Sequence, residues 1–485
     1  MGCRIGHSSL SFGHAVLHAR VPVIVLVADG ARADAFDGAL EAFPALDRLR
    51  AEGDLHRVAS VFPSVTGPAY APFLLGRFPG PIGIPGLRWF DRARTACGWP
   101  DYARSYVGHQ MRHFDADLDP AAPTIFELVP NSVGALSVVT RGLAPERRVG
   151  TLTVRSAMRA TLTHFRGEAE RWLDVDRESA DTIVTRMRDE RPDYLFAAFT
   201  GVDKASHARG HEDALVRDAL TIVDDAVARL RHDAESLGYW ESTHLWIVSD
   251  HGHAGVHTHL DLAGIVGDTG LRTVAHPWSA TLAPDAAVMV SGNAMAHVYL
   301  ELEQRERPWW SSLARRHERL ASTLLECEAV DLLLLPLRDG GCEVRSARRG
   351  TALVERVGAS VRYRRVTGDP LGIGDDFDGG SDDAFDVTRE SDYPDSLVQI
   401  TSLAGSPRSG DMILSATPGW DFRSRYEPIP HRSAHGALHR DHMLVPLLMN
   451  RRAARAPRRT TDLFASALDA LGVPAPDVMD GGSFV

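Results

Sequence analysis

The chain has 485 residues and a formal net charge of −11, with 44% hydrophobic and 24% charged residues. This length suits one large α/β domain with an elaboration, or two domains, and the composition is typical of a soluble globular protein. The acidic balance excludes a nucleic-acid polymer as the expected partner, and no apolar run approaches the roughly 18 residues of a membrane helix. A small phosphorylated substrate remains compatible with this charge, because bound metal would reverse the local field.

Neither the cysteines nor the N-terminal segment indicates export. The four cysteines are widely spaced and form no CxxC pair: Cys3, Cys97, Cys327 and Cys342. A disulfide framework or a thiolate zinc site is therefore not predicted. Residues 1–20 lack a continuous apolar run before the first strand. We expect reduced thiols and a cytoplasmic location.

The N-terminal half alternates strands and helices. Residues 22–28 are a continuous apolar run of the kind that a strand buried on both faces requires. A helical pattern ending at Gly53 and a second strand at 55–62 follow. The later elements continue this alternation: helix 124–129, strand 133–139, helix 179–189, strand 194–199, a helix around 215–230 and strand 245–248. Strands alternating with helices predict a doubly wound, mostly parallel sheet in an α/β fold.

The pattern changes at about residue 273. Short strand-like runs and one helix at 310–328 predict an inserted, smaller α+β subdomain. The acidic, glycine-rich residues 374–386 do not fit the EF-hand template, and we expect a solvated loop there. The expected division has three parts: core residues 20–272, the inserted cap subdomain 273–400 and the C-terminal part of the core, 401–485.

Three aspartates follow three of the most apolar predicted strands: Asp29, Asp203 and Asp250. In an open parallel sheet the carboxyl ends of the strands line the crevice where ligands bind, so carboxylates far apart in sequence converge there. His207 lies four residues after Asp203, on the same face of a helical turn, and His251 is adjacent to Asp250. Mixed Asp and His ligands suit zinc or a similar divalent ion. The combination predicts a metal site.

A candidate nucleophile lies in the segment VFPSVTGPAYAPFLLG, residues 61–76. Thr66 is placed between a predicted strand and a helix start at Gly67-Pro68, where free N–H groups can bind a phosphate. Ser64 offers a second hydroxyl. Capping of the helix is the alternative role for both side chains.

Six motifs occur in order along the chain: VADGARAD, PSVTGPAYAPFLLGRFPGPIGIPG, GVDKASHARGH, VSDHG, SAHG and TTDLFASALDALGVPAPDVMDGGSF. Together they resemble the alkaline phosphatase superfamily, and within it the type I phosphodiesterase/nucleotide pyrophosphatase group. They span residues 23–484 and leave the stretch around 273–400 uncovered. The resemblance implies an alkaline phosphatase-like core with two divalent metal ions, of which Zn²⁺ is the expected identity.

The resemblance also implies a role for each candidate site residue. One ion would be held by Asp29, Thr66, Asp250 and His251, and the other by Asp203, His207 and His435. The HG dipeptide favours His435 over three neighbouring histidines: His431, His439 and His442. Three histidines beside the DHG motif are expected to support the ligands or to lie at the surface: His253, His257 and His259.

In this family's chemistry the metal-bound hydroxyl of Thr66 would attack phosphorus, and water would then release the phosphorylated threonine. One position departs from the pattern. Many members of the group carry an asparagine three residues after the nucleophile, where it binds a phosphoryl oxygen, and this chain has Ala69. The expected substitutes are Tyr70, Lys204, which is the only lysine of the chain, or a backbone N–H.

The leading hypothesis is a two-metal hydrolase of phosphodiester or pyrophosphate bonds in a small substrate. A phosphomonoesterase or phosphonate hydrolase on the same core is the alternative. A non-catalytic binding protein that retains the metal site is the hypothesis from another class, and it is motivated by Ala69. No CxPxR motif supports a sulfatase, and a phosphoglycerate mutase of this superfamily would carry serine as nucleophile. The natural substrate and the oligomeric state stay open.

Overall fold

The computed structural model of the chain describes residues 21–38, 40–95, 102–150, 163, 167–277, 281–424 and 429–485. The N-terminal segment 1–20 and two cysteines, Cys3 and Cys97, lie outside these ranges. Cys327 and Cys342 are free thiols. No helix within the described ranges is both long and apolar enough to cross a membrane.

The strands fall into three stretches of the chain. The first contains β1 Val23–Ala28, β2 Asp54–Ala59, β3 Arg88–Phe90, β4 Ala103–Ser105, β5 Ser132–Ala135, β6 Arg148–Val149, β7 Tyr194–Phe199, β8 His244–Val248 and β9 Ala254–His259. The second contains β10 Thr273–Ala275, β11 Ala286–Ser291, β12 Met295–Leu300, β13 Val330–Pro336, β14 Cys342–Ser346, β15 Gly350–Val357, β16 Ser360–Gly368, β17 Phe377–Gly379 and β18 Met412–Ala416. The third contains β19 Gly419–Asp421, β20 Ser433–Ala434 and β21 Leu444–Met449.

The helices connect and cover these strands. Those before the second sheet are α1 Ala33–Asp37, α2 Pro44–Glu52, α3 Ala71–Leu75, α4 Phe114–Asp117, α5 Ile125–Leu128, α6 Glu170–Glu190, α7 Gly201–Arg209, α8 Ala214–Ser236 and α9 Leu262–Asp268. The later ones are α10 Trp310–Glu326, α11 Ser381–Thr388, α12 Ser396–Ala404, α13 Arg440–Met443 and α14 Asp462–Leu471.

Among the described residues the central sheet has seven strands in the order β2-β21-β8-β1-β7-β5-β6. Strand β1 pairs in parallel with β7 on one side and with β8 on the other. The exception to the parallel arrangement is β21, which runs antiparallel to β8 and β2. The predicted doubly wound, mostly parallel sheet is therefore confirmed.

Helices cover both faces of the central sheet because both faces of its strands are apolar. Ile24 and Leu26 of β1 pack in a cluster with residues of α2, α6 and α8. The alternate residues Val23, Val25 and Val27 pack in a second cluster with residues of α3, α5 and α14. This alternation buries all six residues of β1 and explains its uninterrupted apolar sequence.

The second sheet is mostly antiparallel and has the order β10-β11-β12-β18-β13-β14-β15-β16-β17. Apolar residues of α9 and α10 pack with its strands in one cluster, and those of α11 and α12 in another. Strand β18, which the sequence-based division places after residue 400, lies in the middle of this sheet between β12 and β13. The sheet is the additional α+β unit predicted from the change of pattern.

The expectation of a solvated loop at residues 374–386 was wrong in part. This stretch contains β17 and the first turns of α11. The carboxylate of Asp383 accepts the backbone N–H of Gly380 at 3.2 Å, which begins the helix. Ala384 is buried against the second sheet, and Phe385 is also buried. Acidic side chains in a first helical turn are stabilised by the helix dipole, so an acidic run is compatible with a helix start.

Candidate active site

The register of the central sheet brings three strand ends together. Ala28 at the end of β1 lies beside Phe199 at the end of β7, and Val27 lies beside Val248 at the end of β8. The chain then continues from β1 into Asp29, from β7 into α7 and from β8 into the DHG segment. Residues far apart in sequence therefore meet at one edge of the sheet, as expected for an open parallel sheet.

The first set of side chains surrounds Thr66. Its hydroxyl oxygen Oγ1 lies 3.2 Å from Oδ1 of Asp29 and 3.1 Å from Nε2 of His251. His251 Nε2 lies 3.4 Å from Asp29 Oδ1 and 3.5 Å from Asp250 Oδ2. The three partners are almost completely buried, whereas Thr66 is partly exposed. The hydroxyl is thus the accessible member of a carboxylate and imidazole cluster.

The local backbone directs Thr66 into this cluster. Gly67 adopts φ 95°, and a Cβ at this position would also lie 3.3 Å from the ring of Phe114. The predicted helix start is a single 3₁₀ turn at Pro68–Tyr70 that leads into α3, and no side chain caps it. The Ser64 hydroxyl donates to the carbonyl of Ala437 at 3.0 Å. Of the two hydroxyls that the sequence offered, only that of Thr66 contacts the carboxylates.

The second set gathers on Asp203. Its Oδ1 lies 3.0 Å from Nε2 of His253, 3.2 Å from Nε2 of His207 and 3.5 Å from Nε2 of His435. The His207 and His435 Nε2 atoms are 3.2 Å apart. The His435 ring also stacks on that of His251 with centroids 3.7 Å apart, so the two sets adjoin. The structure brings together all the sequence-predicted site residues: Asp29, Thr66, Asp203, His207, Asp250, His251 and His435.

The hydrogen bonds that three histidines make through Nδ1 determine whether their Nε2 atoms can act as metal ligands. Nδ1 of His207 donates to the Ser433 carbonyl, that of His251 to the Gly252 carbonyl and that of His435 to the Ser64 carbonyl. A neutral ring held in this way turns an Nε2 lone pair towards the carboxylates. Lone pairs that face carboxylate oxygens repel unless a cation lies between them. This is the arrangement in which proteins hold a metal ion.

The electrostatics of the carboxylates point the same way. Burial, and then the charges of Asp250 and Asp203, raise the pKa of Asp29 well above its usual range. Burial also raises the pKa of Asp250, whose Oδ2 is buried and has no hydrogen-bond partner among the described residues. Burial acts to raise the pKa of Asp203 too, but the charge of the adjacent Lys204 holds it well below the usual range. A divalent cation would satisfy these anions, so the donor set fits the implied metals.

The sequence left the role of His253 undecided between a supporting residue and a surface residue. His253 is fully buried in the second set, and burial lowers its pKa to about 3. Its Nδ1 lies 3.1 Å from the hydroxyl of Ser433, which itself donates to the Ser206 carbonyl, so Nε2 of His253 also turns a lone pair inward. Only its nearness to the DHG motif signalled this position. His257, in contrast, is exposed.

Tyr70 donates its hydroxyl hydrogen to Asp29 Oδ2 at 3.0 Å, from a buried position. Ala69 is fully buried in an apolar cluster with Val61 and Phe62. Ala69, at the position where many members of the resembling group carry asparagine, thus packs into the core, and Tyr70 orients Asp29, a candidate metal ligand. Neither residue presents a free donor to the cleft.

The second sheet holds the His435 segment in place. The backbone N–H of Ala294 donates to the His435 carbonyl at 3.0 Å, and the N–H of His435 donates to the Gly292 carbonyl at 3.2 Å. Gly292 adopts φ 59°, and a Cβ there would come within 2.5 Å of Val65. The hairpin between β11 and β12 therefore packs directly against the segment that carries Thr66.

Comparisons with solved structures show which proteins share this fold. The chain is similar in fold to phosphonoacetate hydrolase from Sinorhizobium meliloti 1021 in complex with phosphonoformate, with a TM-score of 0.56 and 16% identity over 93% of this chain and 96% of that one. It is similar to murine ectonucleotide pyrophosphatase/phosphodiesterase 5, with a TM-score of 0.55 and 14% identity over 96% and 98%. An inactive variant of that murine protein in complex with AMP gives a TM-score of 0.54 at 14% identity over 96% and 97%. At these identities the likeness establishes the fold.

The sequence itself carries the family assignment. No curated protein sequence matches the chain. The family model for type I phosphodiesterase/nucleotide pyrophosphatase, however, matches residues 23–328, which is more than half of the chain and includes both β1 and β8. The chain therefore belongs to the type I phosphodiesterase/nucleotide pyrophosphatase family of the alkaline phosphatase superfamily.

Proposed function

We propose that the protein is a metal-dependent hydrolase of phosphodiester or pyrophosphate bonds in a small phosphorylated substrate, with Thr66 as the nucleophile. The observation that carries this proposal is the position of the Thr66 hydroxyl, 3.2 Å from Asp29 and 3.1 Å from His251. Thr66 is partly exposed, and its hydroxyl lies beside buried carboxylates and an imidazole, which are the surroundings of an activated nucleophile.

The residues that would hold two divalent ions are those of the two sets. Asp29, Thr66, Asp250 and His251 form one, and Asp203, His207 and His435 form the other, with His253 as an added candidate. Imidazole nitrogens mixed with carboxylate oxygens favour Zn²⁺. Bound there, the ions would lower the pKa of the threonine hydroxyl and neutralise charge on the phosphoryl oxygens.

Thr66 carries out the covalent step. Its oxygen, after losing the hydroxyl proton to solvent, forms a bond to phosphorus while the bond to the leaving oxygen breaks with its electron pair. Water then cleaves the phosphothreonine and restores the hydroxyl. Tyr70 holds Asp29 in place throughout by its hydrogen bond of 3.0 Å.

The test compares Thr66→Ala with wild type after zinc loading, on bis-p-nitrophenyl phosphate and p-nitrophenyl phosphate. We expect metal-dependent turnover of at least one ester by wild type and a loss of at least about 10³-fold in Thr66→Ala. Thr221→Ala is the control, since that hydroxyl is exposed on α8 and bonds only within its helix, to the Arg217 carbonyl. Turnover undiminished in Thr66→Ala, or absent from wild type with every metal, would refute the proposal.

A phosphomonoesterase or phosphonate hydrolase is the second candidate, and the similarity in fold to phosphonoacetate hydrolase favours keeping it. The rate ratio of monoester to diester separates the two. A non-catalytic binding protein would instead hold metal and phosphate without turning over any phosphoester. A cytoplasmic location remains part of the proposal, as does the absence of a nucleic-acid partner, which rests on the net charge of −11.

A further inference from the structure

The single lysine of the chain lies beside the candidate metal site. All the other basic side chains among the 53 Lys and Arg residues are arginines. Nζ of Lys204 lies 2.7 Å from Oδ2 of Asp203. The lysine side chain is 34% exposed, whereas that of Asp203 is 1% exposed. The ammonium therefore sits where the buried cluster opens to solvent.

Asp203 divides its two oxygens between different partners. Oδ1 faces the three histidines of the second set, and Oδ2 faces Lys204. In the described part of the chain Asp203 is the one hydrogen-bond partner of the ammonium, which has three N–H groups. Lys204 can thus keep its contact to Asp203 and still donate to a ligand.

The position of Lys204 also relates it to both sets of side chains. Besides Asp203, its charge acts on Asp29 and Asp250 of the first set. The Trp172 ring lies on its other side, with the ring centroid 5.9 Å from Nζ, and helps to hold the ammonium in the cleft. The charge of Lys204 therefore lies near both sets of side chains.

Tyr70, the other side chain expected to replace the missing asparagine, is already engaged. The Tyr70 hydroxyl is buried and donates to Asp29, and Ala69 packs in the apolar core. Arg32, three residues after Asp29, is also engaged: it donates to the carbonyl of His253 and pairs with Asp34. Lys204 is the remaining candidate that is both charged and accessible.

We propose that Lys204 donates to a charged, non-bridging oxygen of the substrate phosphoryl group and so favours doubly charged phosphoryl groups over singly charged diesters. The inference rests on the proposed function, because it concerns the same site. An ammonium on a flexible stem can serve Asp203 and a ligand together, whereas a planar guanidinium tends to pair with the carboxylate through two bonds. We therefore expect arginine to replace Lys204 incompletely, although it supplies the basic groups elsewhere.

The experiment compares Lys204→Met and Lys204→Arg with wild type, using zinc-loaded protein. Three quantities are measured: bound zinc by elemental analysis, the Kd of inorganic phosphate by calorimetry, and kcat/KM on p-nitrophenyl phosphate and on bis-p-nitrophenyl phosphate. Arg209→Met is the matched control, since Arg209 lies on the same helix, is exposed and pairs with Glu170 at the surface. Lys204→Gln replaces Lys204→Met if the latter does not fold.

We expect Lys204→Met to keep its zinc and to bind phosphate about 10- to 100-fold more weakly, as for the loss of a charge-assisted hydrogen bond. Its kcat/KM should fall further on the monoester than on the diester, Lys204→Arg should recover part of the loss, and Arg209→Met should match wild type. Unchanged phosphate affinity in Lys204→Met overturns the inference. So does a loss of zinc with normal phosphate affinity once zinc is restored, because Lys204 would then only position Asp203.

Failure of the inference and failure of the proposed function give different results. Turnover that depends on Thr66 but not on Lys204 refutes the inference alone. Phosphate binding that depends on Lys204, without turnover of any ester, refutes the proposed function and supports the inference.

Discussion

Replacing Asp250 by asparagine should make the metal-free protein more stable and the metal-loaded protein less so. Asp250 is fully buried; its Oδ1 accepts the N–H of Gly30 at 3.2 Å, and its Oδ2 has no hydrogen-bond partner among the described residues. An asparagine keeps the acceptor for Gly30. Its amide group can donate to Nε2 of His251, which lies 3.5 Å from the present Oδ2. The substitution thus removes a buried charge and provides an N–H donor for the Nε2 lone pair of His251.

The size of the effect follows from the cost of an unpaired buried polar group, about 1–3 kcal/mol. The unfolding entropy of a chain of 485 residues is roughly 1 kcal/mol per kelvin, so Tm of metal-free Asp250→Asn should rise by about 1–3 °C. Zinc at about 1,000 times its Kd should stabilise wild type by about 4.1 kcal/mol but the variant much less, because a carboxylate ligand is lost. The order of the two Tm values should therefore reverse when zinc is added.

The pH dependence gives an independent check. The pKa of Asp250 is raised in the folded protein, first by burial and then by the charge of Asp203. The protonated carboxyl of Asp250 therefore contributes to stability fully below the unfolded pKa of about 3.9, and this contribution is lost as the pH rises through the folded pKa and the carboxyl ionises. The difference between metal-free Asp250→Asn and wild type should be small near pH 4 and largest at alkaline pH.

Thermal unfolding of both proteins, with chelator and with zinc, at a series of pH values, measures these differences. Asp189→Asn is the control, because that side chain is 58% exposed and pairs with Arg188 at the surface. Metal-free Asp250→Asn that is less stable than wild type at pH 8 would refute the reasoning. Equal stabilisation of both proteins by zinc would do so as well.

Three other substitutions test the surroundings of the site. Tyr70→Phe removes the hydrogen bond to Asp29, and we expect zinc affinity in competition with a chelator to fall about 10- to 100-fold; equal affinity would contradict this role. His253→Ala should weaken zinc retention by a similar factor, with the loss confined to one of the two ions in elemental analysis. Asp176 accepts the N–H groups of Thr200 and Gly201 where α7 begins, and burial raises its pKa to about 7. The protonated carboxyl of Asp176 stabilises the fold fully below about pH 4, and this contribution is lost by about pH 7. The free energy of unfolding of wild type should therefore fall by the order of 4 kcal/mol between pH 4 and pH 8 on this account, and Asp176→Asn should remove that decline. Denaturant unfolding at the two pH values measures it, and the same decline in both proteins would disprove the assignment.

Much of the central sheet could be read from local sequence. Strand β7 begins and ends where the apolar run does, because a strand buried on both faces admits no polar residue. The acidic stretch at the start of α11 was misread, since the loop prediction weighed its charge and glycines, while Ala384 packs against a sheet whose other strands are distant in sequence. Local composition is a poor predictor of secondary structure where a segment is buried by strands that are distant in sequence.

The candidate site divides in the same way. Asp29, Asp203 and Asp250 follow apolar strands, and that pattern together with the family resemblance predicted that they meet. The family resemblance had assigned Thr66 rather than Ser64, although either hydroxyl suits a helix start. The tertiary structure adds a physical reason, because the Ser64 hydroxyl donates to the Ala437 carbonyl. His253 had no spacing signal of its own, and its place in the second set depends on the fold of the segment that carries Ser433.

The sequence by itself determined the order of the strands along the chain, the carboxylates at their ends and the family. The tertiary structure decided which oxygen of Asp203 faces the histidines and which faces Lys204, which imidazole nitrogens turn inward, and that Ala69 lies in the core. The physical reason is the range of the interactions. Apolar periodicity is a property of neighbouring residues, whereas the direction of a hydrogen bond at a shared site depends on partners that only folding brings within about 3 Å.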